Sequence, residues 1–249
     1  QTSATFGPVG WNRVGSDING EAAADQSGFS VSLSANGETV AIGAKFNDGN
    51  GANSGHVRIF QFLSSGWTQL GGDIDGEAAG DESGTSVSLS TDGRTVAIGA
   101  YLNDGTGTST SSGHVRIYTY NGTTWSKLGS DIDGETANDW SGWSVSLSAN
   151  GRTVAIGAVS NDAGNANADN RGHVRIYSYN GSAWIQLGLD IDGEAAGDES
   201  GRSVSLSANG RTVAIGATYN NGVNGVNSGH VRIYSYNGSA WIQLGLDID

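Results

Sequence analysis

Asp73, Asp75, Glu77 and Asp81 set four carboxylates two to four residues apart, with Gly76 allowing a sharp turn between them. Hard oxygen donors at such spacing suit Ca²⁺, although neither the EF-hand interval nor its closing bidentate Glu is present. The set recurs as Asp131, Asp133, Glu135 and Asp139, and again as Asp190, Asp192, Glu194 and Asp198. A connector would use the same residues differently. Its carboxylates would accept backbone N–H groups in Asx turns and pair with an arginine of a neighbouring strand. Both readings stand at the level of sequence, and calcium is the one cofactor they bring into view.

Three further patterns carry chemistry. One His and one Arg recur together as His56/Arg58, His114/Arg116, His173/Arg175 and His230/Arg232. A ring of histidines could ligate a metal, but recurrence on one strand position favours hydrogen bonding within the scaffold, and outward positions would hold the imidazoles too far apart to share an ion. Asn121, Asn180 and Asn237 each open an Asn-Gly-Ser/Thr sequence, which is both an N-glycosylation acceptor pattern and an Asn-Gly turn. Trp140 and Trp143 occur in one copy only. Two indoles on a connecting loop would stack on a sugar or aromatic ligand, or else cover a packing gap or another subunit. No nucleophile–base pair or single-copy acid–base pair stands out, so the pattern predicts no enzyme.

What positions these residues is a repeat. Asp-Ile-Asp/Asn-Gly-Glu opens at Asp17, Asp73, Asp131 and Asp190, and a truncated copy starts at Asp247. A period of about 57 residues is the mark of a repeat architecture. The units run over 17–72, 73–130, 131–189 and 190–249, as one domain across 1–249. Within the second unit, Ser86-Val87-Ser88-Leu89-Ser90 alternates small polar with bulky apolar residues, as a half-buried strand does. Asp92-Gly93 signals a hairpin into Thr95–Ala100, a variable polar loop follows, and His114–Tyr120 leads through Asn121-Gly122 to Trp125–Gly129. Four antiparallel strands per unit and no helical period predict an all-β propeller with one four-stranded blade per repeat. Val87, Leu89, Val96 and Ile98 point one way; Ser86, Ser88, Ala97 and Gly99 point the other. Bulky and shallow faces of successive blades would then interlock at close-packed density.

Ser-Gly-x-Ser-Val, Val-Ala-Ile-Gly-Ala and Gly-His-Val-Arg-Ile-Tyr, taken in this order, resemble the FG-GAP repeat of integrin-α-type propellers. The likeness is closer still to a divergent version seen in secreted and surface-anchored proteins of marine microbes. It covers nearly the whole chain from Trp11 to Asp249 and implies one blade per repeat and an extracellular or cell-surface setting. The chain departs from the family in three ways. Ser27, Ser83, Ser141 and Ser200 replace the family's Phe; Lys45, Tyr101, Val159 and Thr218 replace its Pro; and the calcium loop between the first two strands shrinks to a tight turn at 35–38 or 91–94. The turn lacks room for a calcium ligand set, so the family's calcium site does not carry over.

Composition agrees with short strands and many turns: 41 glycines stand against one proline, Pro8, and there is no cysteine or methionine. A net charge of −13 argues against a nucleic-acid partner. No apolar run is long enough for membrane insertion. The opening Gln1-Thr2-Ser3 fits a processed, secreted chain. The ends share one phase. A spare outer-type strand at the N-terminus, within 1–16, makes five Trp strands for four repeats: Trp11, Trp67, Trp125, Trp184 and Trp241. A closed four-bladed ring has room for only one end, and a larger ring completed by other chains is the alternative. An unpaired apolar strand invites addition to a neighbouring molecule. Trp11, Val14, Trp241 and Leu244 are therefore the expected self-association residues of a homo-oligomer or filament. The sequence thus predicts a non-enzymatic structural or adhesive protein. Glycan binding is the alternative, and a hydrolase or lyase on a propeller scaffold the third reading.

Overall fold

The computed structural model describes residues 12–64, 66–105, 110–162 and 169–249, among which there is no helix. Four antiparallel blades follow the repeats. Blade 1 comprises β1 (Ser30–Leu33), β2 (Thr39–Ala44), β3 (His56–Leu63) and β4 (Gly66–Gln69), followed by the short β5 (Ile74–Asp75). Blade 2 comprises β6 (Ser86–Leu89), β7 (Thr95–Ala100), β8 (His114–Tyr120) and β9 (Trp125–Lys127), followed by β10 (Ile132–Asp133). Blade 3 comprises β11 (Ser141–Leu147), β12 (Thr153–Ala158), β13 (His173–Tyr179) and β14 (Trp184–Gln186), followed by β15 (Ile191–Asp192). Blade 4 comprises β16 (Ser200–Leu206), β17 (Thr212–Ala217), β18 (His230–Tyr236) and β19 (Trp241–Gln243). The fold class predicted from the repeats is the one observed.

The Asp-Ile-Asp segment supplies a short fifth strand. β5 lies on the outer edge of β3, with Ile74 opposite Val57 and Asp75 opposite His56. β10 and β15 repeat this on β8 and β13, and Ile248 bridges Val231 at the end of blade 4. Ile74, Ile132 and Ile191 are buried there.

Blades stack bulky face to shallow face. Val87, Leu89, Val96 and Ile98 of blade 2 pack on Ala41, Val57 and Ile59 of blade 1, and the next two interfaces repeat the pattern. Each contact depends on a close backbone approach. Gly84 sits at φ 88°, a left-handed conformation that glycine adopts without a steric penalty. Its carbonyl oxygen meets Gly43 of the preceding blade, where any Cβ would overlap it. Ser30 Oγ donates to that same oxygen at 2.7 Å. Ser86 to Gly142 O and Ser144 to Gly201 O, each 2.7 Å, complete the series. Backbone bonds from Ala35 N to Thr91 O, Thr91 N to Ala149 O and Ala149 N to Ala208 O link the tips of successive first hairpins.

The series stops at both ends. In blade 1, Val31 and Leu33 are 63% and 60% exposed, whereas their counterparts Val87 and Leu89 are 9% and 7% exposed. In blade 4, Ser203 and Ser205 are exposed and Ala214, Gly216, Val231 and Ile233 are half-buried. Their counterparts Ala97, Val115 and Ile117 in blade 2 are sealed. Among the described residues no hydrogen bond joins blade 4 to blade 1. These free faces show that the four blades do not close on one another as a ring of four.

The glycine contact gives a direct test. Gly99→Ala places a methyl group on the Gly142 carbonyl and should lower unfolding stability by about 1–3 kcal/mol or more. Gly216→Ala meets only the rotatable, exposed Ser203 side chain, so its unfolding free energy from urea titration should stay within about 0.5 kcal/mol of the parent. Equal losses for both would contradict the open end.

Candidate functional site

Each Asp-Ile-Asp loop joins two blades. It is paired with the third strand of the blade it leaves. The arginine of the blade it enters then grips its backbone: Arg116 donates to Asp75 O, Arg175 to Asp133 O, Arg232 to Asp192 O and Arg58 to Asn19 O, all at 2.6 Å. These arginines are buried and bond to a backbone carbonyl of the loop, where the connector reading expected its carboxylates; the loop glutamates lie 3.4–3.8 Å away.

The four carboxylates of one loop do not converge, so the single-loop calcium site is not the arrangement the structure presents. Asp81 is buried and spent on holding its own loop, with Oδ2 accepting Ala78 N–H and Asn103 Nδ2, both at 2.9 Å. Asp139 and Asp198 do the same through Thr136 N–H and Ala195 N–H. Asp75, Asp133 and Asp192 contribute their backbone carbonyls to arginine.

The remaining acids meet across a blade. Glu77 from the entering loop and Asp131 from the leaving loop converge on His114 of β8. The same happens for Glu21, His56 and Asp73; for Glu135, His173 and Asp190; and for Glu194, His230 and Asp247. In each trio the ligand atoms lie within 4.8 Å of one another. The imidazoles are buried and the carboxylates partly exposed. Sequence reasoning named all these residue types but kept the histidines apart from the acids. The partners are separated by most of a blade, and only the pairing of β5-type strands on the third strand brings them together.

Burial, with the adjacent Arg175 guanidinium, pushes the His173 imidazole down from 6.5 to about 4, and the same two causes lower His114. Both imidazoles are therefore neutral at pH 7. Glu135 is shifted upward by desolvation against the opposing pull of Arg175.

Trp140 and Trp143 stack on each other at 5.9 Å and 19°. Tyr101 of blade 2 meets both edge-on, at 5.8 and 5.0 Å, and Arg202 of blade 4 lies over Trp143 at 5.1 Å. The pair spans three blades and makes contacts within the chain. At the previous junction the same rim position holds an ion pair, Lys45 with Glu82 at 2.8 Å. Tyr101 also donates to Glu82, and burial beside that carboxylate pushes its hydroxyl up to about 12.

Asn121, Asn180 and Asn237 are exposed at hairpin ends. They close four-residue loops between Tyr120 and Trp125 and their equivalents, not the two-residue type I′ turn that Asn-Gly suggests. The reason is local: the side-chain Oδ1 of Asn121 accepts Thr123 and Thr124 N–H, both at 2.9 Å, and takes over the role of a tighter backbone turn.

Trp11 lies outside the described residues. Residues 12–14 form no strand, and Val14 O accepts Trp67 Nε1 at 3.0 Å. This is the place that Leu70, Leu128 and Leu187 hold for Trp125, Trp184 and Trp241. The described part of the N-terminal segment thus acts as the connector entering blade 1. Trp241 lies in β19, paired with β18, and Leu244 is half exposed beyond it. β19 is the outermost strand of blade 4 and is paired on one side only, so Trp241 stands at a sheet edge.

The geometry defines a repeat propeller built on blade-to-blade connectors. The family model of the FG-GAP repeat matches residues 19–60 and 74–118, within the first two repeats of the chain. No curated protein matches the chain. Among solved structures it is similar to the periplasmic gluconolactonase of Pseudomonas aeruginosa, with 16% identity over 88% of this chain and 56% of that one and a TM-score of 0.57. It is also similar to Kuenenia stuttgartiensis hydrazine synthase, with 12% identity, 96% and 52% coverage and a TM-score of 0.55. The β-propeller domain of Myceliophteria thermophila Cps50 (Swd1) gives 12% identity, 88% and 56% coverage and a TM-score of 0.50. These likenesses show the fold alone. The chain spans about half the length of the structures it matches.

The depressed histidines make stability acid-sensitive. Unfolded imidazoles take up protons near 6.5, while folded His173 resists protonation down to about 4. Their contribution is therefore complete above pH 6.5 and is lost as pH falls from 6.5 toward 4. Melting temperature should drop over that window, and His173→Gln should shrink the drop between pH 7 and pH 4.5. An unchanged pH slope in the variant would remove His173 as its source.

Proposed function

We propose that this chain is a non-enzymatic structural repeat protein, secreted or displayed at the cell surface, that joins copies of itself head to tail. One observation carries the reading. The two free end faces are the two halves of an interface that the chain already makes three times within itself. Blade 4 offers Ser203, Ser205, Ala214 and Gly216; blade 1 offers Val31, Leu33 and the Gly28 carbonyl. By the internal pattern, Ser203 Oγ of one copy would donate to Gly28 O of the next, and Ser205 Oγ would accept Leu33 N–H, as Ser32 Oγ accepts Leu89 N–H at 2.9 Å. The contact is heterologous, so it closes into a ring or runs on as a filament. Two arcs of four blades fall within the roughly 4–8 blades at which propellers close. The surface through which copies join thus differs from the terminal strand that the sequence suggested. Support for a structural role comes from the recurrence of the buried His, Arg and acidic sets in every blade. A surface location rests on the resemblance of the repeat.

Light scattering over a concentration series should show association. Leu33→Asp and Gly216→Ala should each return the protein to monomer with little change in melting temperature. A parent protein that stays monomeric at high concentration would defeat the proposal.

Glycan binding is supported by a second observation. A notch of about 220–320 Å³ recurs beside the Trp strand, lined for example by Asp73, Asp75, Tyr118 and Trp125, with counterparts at Trp67, Trp184 and Trp241. Aromatic faces beside carboxylates are suited to sugar rings. A glycan array should then show weak multivalent binding that Tyr118→Ala reduces, and an array without signal would leave the structural reading alone.

A further inference from the structure

We infer that the Glu–His–Asp trio of each blade is a binding site for a divalent transition ion of the Zn²⁺ class. The donor set is one imidazole nitrogen and two carboxylate oxygens. Imidazole is a ligand for Zn²⁺ and its neighbours, whereas Ca²⁺ takes oxygen donors.

The trio is built, and more than a collection of nearby charges. In blades 3 and 4 each carboxylate has one oxygen beside an outer partner and the other turned to the histidine. Glu135 Oε1 faces Arg175 Nη1 at 3.6 Å, while its Oε2 lies 3.9 Å from His173 Nδ1. Asp190 Oδ1 accepts Gln186 Nε2 at 2.6 Å, while its Oδ2 lies 3.8 Å from the same nitrogen. In blade 4, Arg232 and Gln243 orient Glu194 and Asp247 in the same way about His230. In blade 2, Lys127 takes the Gln role on Asp131 Oδ1. Outer partners that fix ligand orientation are a regular part of metal sites.

The histidine supplies the independent observation. His173 is 1% exposed, and its Nδ1 has no hydrogen-bond partner although two carboxylate oxygens face it. A separation of 3.8 Å is too long for a hydrogen bond. It is close to the distance that two ligands of one ion require: metal bonds of about 2.0–2.2 Å set adjacent donors about 3.0–3.5 Å apart. Small movements of the exposed carboxylates, which sit on loops, would close that gap. Arg175 leaves the trio's net charge negative, so a cation still finds favourable potential. With three protein ligands the ion would keep a place for water. It would tie the entering and leaving loops of a blade to that blade's third strand.

Native mass spectrometry of the complete chain with ZnCl₂, with CaCl₂ as the control, counts the ions directly. The expected result is up to four Zn²⁺ and no specific Ca²⁺. Asp190→Asn, at a partly exposed carboxylate, should lower the maximum by one, and so should His173→Gln. Zn²⁺ should also raise the melting temperature of the parent more than that of either variant. No retained Zn²⁺, or an unchanged count in Asp190→Asn, overturns the assignment. The readout is per chain and per site, so its failure leaves the assembly measurement untouched.

Discussion

The fold depends on a carbonyl oxygen that enters the space a side chain would occupy. Gly84, Gly142 and Gly201 turn their carbonyls into the preceding blade at Gly43, Gly99 and Gly157, and Ser30, Ser86 and Ser144 satisfy them there. Three requirements follow for each repeat. The donor position must be glycine, because its φ is near 90°. The receiving position must be glycine, because no Cβ fits. The first strand must carry a small hydroxyl where its bulky neighbours would otherwise point. The alternation of Ser with Val and Leu, and of Ala and Gly with Val and Ile, is thus one packing constraint written twice. It buries both faces of a sheet while the inward hydroxyls of Ser30, Ser86 and Ser144 stay hydrogen-bonded.

The Asp-Ile-Asp loop answers a second constraint. Blades stacked face to face need a connector that does not loosen the stack. Ile74 fills the outer edge of blade 1, and Arg116 draws the Asp75 carbonyl into blade 2. A guanidinium buried without a carboxylate in direct contact would be costly. Here it is offset by a short charge-assisted bond to the loop and by Glu77 at 3.5 Å. The loop's acids are thereby divided among tasks: one caps a turn, one lends its carbonyl, and two face histidines in different blades.

Strand positions were legible because period two and turn residues are local. Thr95–Ala100 and His114–Tyr120 appear at the predicted bounds, and the first and fourth strands end within two residues of them. The bulge at Ser141–Ser144 was not legible, because Ser-Gly reads as a connector until the pairing of β11 with β12 shows it inside the strand. The trios were hidden for a related reason. Glu77, His114 and Asp131 come from three segments, and no local spacing encodes their meeting. The carboxylate spacing within one loop suggested a calcium loop because sequence proximity stood in for spatial proximity. The phase of the ends was legible as a surplus strand, yet the structure gives that phase another meaning: the described N-terminal segment is a connector, and the unmatched surfaces are whole blade faces.

With a backbone interface so uniform, the rim must distinguish one junction from another. The residue after Gly-Ala in one blade faces the residues flanking Ser-Gly in the next. Lys45 meets Glu82, and Tyr101 meets Trp140 and Trp143. These differ from junction to junction while the glycines and serines do not. A swapped order would set Lys45 against the indole pair and leave Glu82 without its ammonium partner. At the free ends the corresponding positions are Thr218 on blade 4 and Gln26 with Phe29 on blade 1. None is charged, so no like-charge repulsion opposes their approach, and the half-exposed Phe29 ring would gain cover. In a chain of net charge −13, whose copies repel at long range, neutral rims at the ends confine that opposition to distances beyond contact.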